Sequence, residues 1–338
     1  MVCSCSTIPK LTTLAVIPPS HFSTGPPRNC HDEDMIEQHD QVPTINSYIR
    51  TLSRIALLFP SFFDGLGTPR NNYSLDDAYK LIHTFDLKLR ALVNNIPTFL
   101  LCDQPTLSRS NSTGWIAVAR RSLSISIADK IIMIHRPVIL HAFQVLHPSR
   151  TRKVCVSAAL AILREHEVIA MENVPSLWTH SAFCVTAAMV IGLELLFQNV
   201  HTNDEASKLR SALTDTAVRL RTRKCEVIAE RGAALIDTFL EIEEQLVVKI
   251  MRSSLHGASV RPVQLQLVNE IIEKNNIVAK FLELSHKKPG AHSAQIEALA
   301  ENSEQWFSWF TSDISGETGP FNTDHLIHHY PTTWDVSF

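Results

Sequence analysis

Glycine is scarce in this sequence, ten residues in a chain of 338. That weighs against sheets linked by tight turns, where glycine supplies the left-handed backbone. A surplus of positive charge is also missing. Lys and Arg number 31 against 34 Asp and Glu, a formal net charge of -3, so the balance offers no nucleic-acid-binding surface. Cysteines at paired spacing are missing too. The seven, Cys3, Cys5, Cys30, Cys102, Cys155, Cys184 and Cys225, are odd in number and widely spread. They fit reduced thiols better than a disulfide framework, and Cys3-Ser4-Cys5 has no second pair with which to hold zinc. No uncharged apolar run reaches membrane length: Ala182 to Phe197 is the most apolar stretch and contains Glu194, which reads as a buried helix. Met1 to Ile17 lacks a basic start and runs into Pro18-Pro19, unlike a signal peptide. Catalytic templates are absent as well. There is no Gly-x-Ser-x-Gly elbow, no phosphate-cradling glycine loop and no recognisable carboxylate pair, so an enzyme is not expected.

What is present is a folding composition, 45% hydrophobic and 19% charged, ordinary for a globular chain. Apolar residues recur three or four apart along most of it. The expected fold is all-α, an irregular multi-helix bundle over 42–286, between a flexible arm at 1–41 and an acidic-aromatic tail at 287–338. The arm holds Pro18-Pro19 and Pro26-Pro27, which break helices. A first helix follows Pro43 with Ile45, Tyr48, Ile49, Leu52, Ile55, Ala56 and Phe59 on its buried face; Pro60 ends it, and a loop with Gly65, Gly67 and Pro69 follows. Ser74 caps a second helix with Asp76 and Asp77 in its first turn. The longest helix spans 116–143, its stripe being Leu123, Ile127, Ile131, Ile134 and Val138, and Pro137 should kink or restart it. Ser149 caps the next. Further helices are expected at 178–200, 205–224, 226–252 and 261–286. The tail is irregular from 316 to 338.

Five groups of residues invite functional readings. Asp32, Glu33 and Asp34 form an acidic run, which reads as a helix's first turn or a solvated loop before it reads as a metal site. His166-Glu167 begins a His-Glu-x-x-His pattern, but position 170 is Ala170 and the second ligand is missing. Arg219, Arg221, Arg223 and Lys224 are either a nuclear-localisation patch or a solvated helix end. His325, His328 and His329 beside Asp324 have helical ligand spacing without a third partner. In the tail, Trp306, Phe307, Trp309 and Phe310 alternate with acids. That pattern suits an activation segment offering aromatic anchors to a coactivator groove, or a last amphipathic helix packed on the core. No metal and no cofactor is assigned to any of them.

Three stretches resemble the fungal-specific transcription factor domain, the helical regulatory region downstream of binuclear zinc-cluster DNA-binding modules. The first runs from Pro26 to Met35 and is similar to the family's Leu-Pro-x-Asn-x-x-Asp-Glu-Asp-Leu, with Pro27, Asn29, Asp32, Glu33 and Asp34 matching. The second, Ile134-His135-Arg136-Pro137-Val138-Ile139, looks like its Leu-His-Arg-Pro-Phe-Leu at the end of a long helix. The third joins Ser149-Arg150 to Cys155, Ala158, Ala159 and Ile162, then to Trp178 and the apolar run from Phe183 to Phe197. Each motif is weak alone, and their order over residues 26 to 240 gives them weight. His135, Arg136 and Pro137 either line an effector pocket or serve structure, with His135 in the core and Arg136 meeting carbonyls freed at the proline; structure is favoured.

The resemblance implies a nuclear regulator of RNA polymerase II transcription, controlling a metabolic or secondary-metabolite gene set. Its partners would be other transcription factors or coactivators, a second copy of itself, and a small effector. No membrane is involved. The family's six-cysteine cluster has no counterpart here, so zinc is expected only in that absent module. DNA would be reached through a missing module or a partner. The chain would be a truncated gene model, a fragment, or a regulator that works without its own DNA-binding module. Two rivals stand beside this reading: a helical secondary-metabolism enzyme with an unrecognised site, and a corepressor or small-molecule-sensing interaction protein.

Overall fold

A computed structural model describes residues 25–66, 74–101, 114–145, 149–172, 177–198, 203–223 and 226–254. They are all-α. Nine helices are named α1 to α9, and among the described residues there is no strand, only an isolated bridge between Cys30 and Glu37. The expected helix at 261–286, the histidines at 325–329 and the aromatic tail lie outside the described residues. Two compact units divide the chain, with the boundary between Ile127 and Ala128.

The first unit holds α1 (Ile45–Ala56), α2 (Leu58–Leu66), α3 (Leu75–Asn94), a 3-10 turn (Thr98–Leu100) and the early turns of α4 (Gly114–His135). Proline does not end the first helix. Pro60 stands in the first turn of α2, where a backbone donor has no intrahelical partner to lose, and Gly65 belongs to α2 rather than to a loop. The face of α1 also differs from the expected stripe. Ile45 and Ile49 are 57% and 44% exposed and Ala56 is exposed, while Ser47, Thr51 and Ile55 are buried. The cause is a polar network at its start. Thr44 accepts from the Ser47 amide and Ser47 returns the bond to the Thr44 amide, a reciprocal cap. Both hydroxyls then turn inward to Asn29, which sets the helix's rotation. Aromatic contacts join the next two helices, with Phe62 edge-on to Phe85 at 5.2 Å. Ser74 caps α3 as its sequence predicts.

The second unit holds the rest of α4, a 3-10 turn (Arg136–Val138), α5 (Ile139–Gln144), α6 (Arg150–Met171), α7 (Trp178–Phe197), α8 (Asn203–Thr222) and α9 (Val227–Ser254). The expected 116–143 helix is therefore two helices with Pro137 in the turn between them. Ser149 caps α6 by accepting from the Arg152 amide. At the centre lies α7, which packs against α5, α6, α8 and α9. By length and apolarity α7 could cross a membrane, but most of it is buried by its neighbours, as an all-round apolar helix in a globular core must be. Small residues let the neighbours close. A Cβ on Gly192 would meet the Phe239 ring of α9 at 2.7 Å, and one on Gly232 would meet Val185 of α7 at 2.2 Å. Leu209, Leu213, Ala217 and Leu220 of α8 and Leu235, Phe239, Ile242 and Leu246 of α9 are buried.

Candidate functional site

Asn29 stands out in the first unit. It is buried, and its side chain makes four hydrogen bonds: Nδ2 donates to the carbonyls of His39 (2.8 Å) and Val42 (3.1 Å), and Oδ1 accepts from Thr44 Oγ1 (2.7 Å) and Ser47 Oγ (2.8 Å). Every donor and lone pair of the amide is used. Residues 25–43 are thereby tied to the start of α1, with Arg50 adding bonds to the Pro27 carbonyl and to Asp40. Pro27 is exposed. Asp32, Glu33 and Asp34 form a solvated turn just outside the network, with Asp34 Oδ1 accepting from the Ile36 amide. No group of three or more His, Cys, Asp or Glu among the described residues could hold a metal ion.

His135, Arg136 and Pro137 occupy the corner between α4 and α5. His135 is buried, and its Nδ1 lies 3.2 Å from Thr151 Oγ1 of α6. Burial pulls the Arg136 guanidinium below its ordinary pKa while the Asp129 carboxylate opposes the shift. The corner is closed by Ser149 Oγ donating to the Ala142 carbonyl. Beside it, Arg152 makes two bonds to Glu194 of α7 (2.7 and 2.9 Å) and lies over the Phe143 ring at 5.1 Å. This pair gives the one carboxylate in the apolar run of α7 its counter-charge, and it was not anticipated from sequence. Cys155 is fully buried, and burial pushes its thiol pKa up. Trp178, by contrast, opens α7 with 55% of its surface exposed, next to exposed Leu177.

A third polar group was also invisible in the sequence. Buried His166 of α6 lies near Arg219 of α8, Arg223 just after that helix and His180 of α7. The same guanidiniums and Glu226 act on buried Cys184. This cluster absorbs most of the basic run. Arg219 donates to Thr216 Oγ1 and approaches Glu167 at 3.9 Å, Arg221 pairs with Asp237, and Arg223 pairs with Glu226. Lys224 lies outside the described residues. Three arginines already engaged with acids make a poor free patch for an import receptor or phosphates.

A cavity of about 210 Å³ in the first unit is lined by Thr51, Arg54, Ile55, Leu92, Asn95 and Ile96, below the usual range of roughly 300–1,000 Å³ for small-molecule sites. No nucleophile and base of the described residues meet in it. No family model matches the chain, and no curated protein or solved structure matches it.

Proposed function

We propose that this chain is the regulatory part of a fungal transcription regulator, a helical domain of the nucleus that acts on RNA polymerase II genes through protein partners. In this reading it carries no catalytic centre and no cofactor, and DNA is reached through another module or a bound partner. What supports the reading is the ordered set of motifs from Pro27 to Trp178, together with the structural work their residues do. The observation that carries most weight is the His135-Arg136-Pro137 run. It stands where a long helix gives way to a proline turn, and the Cys155, Ala158, Ala159 and Ile162 face that follows is buried. Asn29, the polar anchor of the first motif, is another residue whose identity the packing demands.

The test is direct. The full chain fused to a heterologous DNA-binding domain should change reporter transcription in a fungal host, and epitope-tagged chain should collect in the nucleus. Purified chain alone should not retard duplex DNA selectively at physiological salt, where non-specific contacts are weak. Sequence-selective retardation by the purified chain, or turnover of a metabolite by it, would overturn the proposal.

A further inference from the structure

His166 is 1% exposed, and neither ring nitrogen has a hydrogen-bond partner among the described residues. Arg219 of α8, Arg223 just beyond that helix's last turn and His180 of α7 all act on its charge, with Glu167 next to it on its own helix and Glu226 just before α9. Both nearby carboxylates are already in use, Glu167 by Arg219 and Glu226 by Arg223. His180 Nδ1 is occupied as well, accepting from the Leu177 amide at 3.3 Å. A proton on His166 would therefore enter a buried space beside two guanidiniums, where the two nearby carboxylates among the described residues are already paired.

We infer that His166 is an acid trigger: once its ring gains a proton, repulsion from Arg219 and Arg223 opens the C-terminal turns of α8 away from α6. The rest of α8 stays in place. Arg210 holds Glu243 of α9 through two bonds (2.8 and 2.6 Å), and Leu209 and Leu213 are buried on the same side. Opening acts at the end of α8 next to His166, and it must uncover Ala217 and Leu220, which are also buried there, together with Cys184.

Burial, then Arg219, Arg223 and His180, pull the pKa of closed His166 from 6.5 to about 4. A solvated ring in the open form returns toward 6.5. Between those values the open form binds a proton that the closed form refuses. Closure is complete above pH 6.5, weakens about tenfold per pH unit below it, and levels off near the lower value.

Hydrogen exchange of the full chain from pH 7.0 to 4.5, read by peptide mass spectrometry and corrected for the intrinsic rate, tests this. Amides of 216–222 should lose protection about tenfold per pH unit below 6.5, while those of 207–213 hold theirs. His166→Phe should abolish that pH dependence. Arg219→Met should weaken it, which keeps the test open if the phenylalanine variant does not fold. The inference is overturned if the wild type shows no such loss, if both variants keep its slope, or if protection falls uniformly across α6 to α9.

Discussion

Glu194→Leu removes the carboxylate that pairs with the buried Arg152 guanidinium and leaves a full charge in an apolar layer. The side chain of Arg152 is 5% exposed and that of Glu194 15%, and the two bonds between them are 2.7 and 2.9 Å. Two charges about 4 Å apart attract by roughly 4 kcal/mol at an effective dielectric near 20. Breaking a buried pair from one side costs about 3–5 kcal/mol because the survivor stays desolvated. Arg152→Met should cost a similar amount. The double variant Arg152→Met, Glu194→Leu should recover to within about 1 kcal/mol of wild type, since apolar groups of like volume replace a buried pair at little cost. Urea unfolding followed by far-UV circular dichroism on the four proteins gives the cycle. The expected coupling is at least about 2 kcal/mol, nearly unchanged between 0.05 and 0.5 M salt (~10-fold), because a buried pair is poorly screened. Single variants that each lose under about 1 kcal/mol, and add in the double, would refute the reasoning; the pair would then behave like a surface ion pair.

Other outcomes follow from particular contacts. Asn29→Ala strands two carbonyls and two hydroxyls and should destabilise the first unit by roughly 2–4 kcal/mol; Asn29→Asp, which turns an oxygen toward the His39 and Val42 carbonyls, should be at least as damaging, both read by thermal unfolding. Gly192→Ala should cost about 1–3 kcal/mol by pressing on the Phe239 ring, and Phe239→Leu in that background should return part of it. Ser149→Ala should lower stability by about 1 kcal/mol through loss of the α6 cap. A fusion of residues 291–338 to a heterologous DNA-binding domain should activate a reporter if Trp306, Phe307, Trp309 and Phe310 act as anchors; a stable but silent fusion ends that idea.

The sequence by itself was enough for the all-α class and most helix positions, because periodic burial and local caps act within a few residues. The Ser74 and Ser149 caps, the restart at Pro137 and the buried stripes of α4 and α6 were legible for that reason. Tertiary structure alone decided which face of α1 turns inward, since the Asn29 network reaches Thr44 and Ser47 from 15 and 18 residues away. It also decided that Glu194 is answered by Arg152, 42 residues distant, that the basic run of α8 is spent on Glu167, Asp237 and Glu226, and that His166 lies against it. Charges and polar groups are satisfied through space at a few ångströms, and one linear order of residues is compatible with many such pairings. Hydrophobic periodicity survives in the sequence, whereas the choice of polar partner is made only when the helices pack.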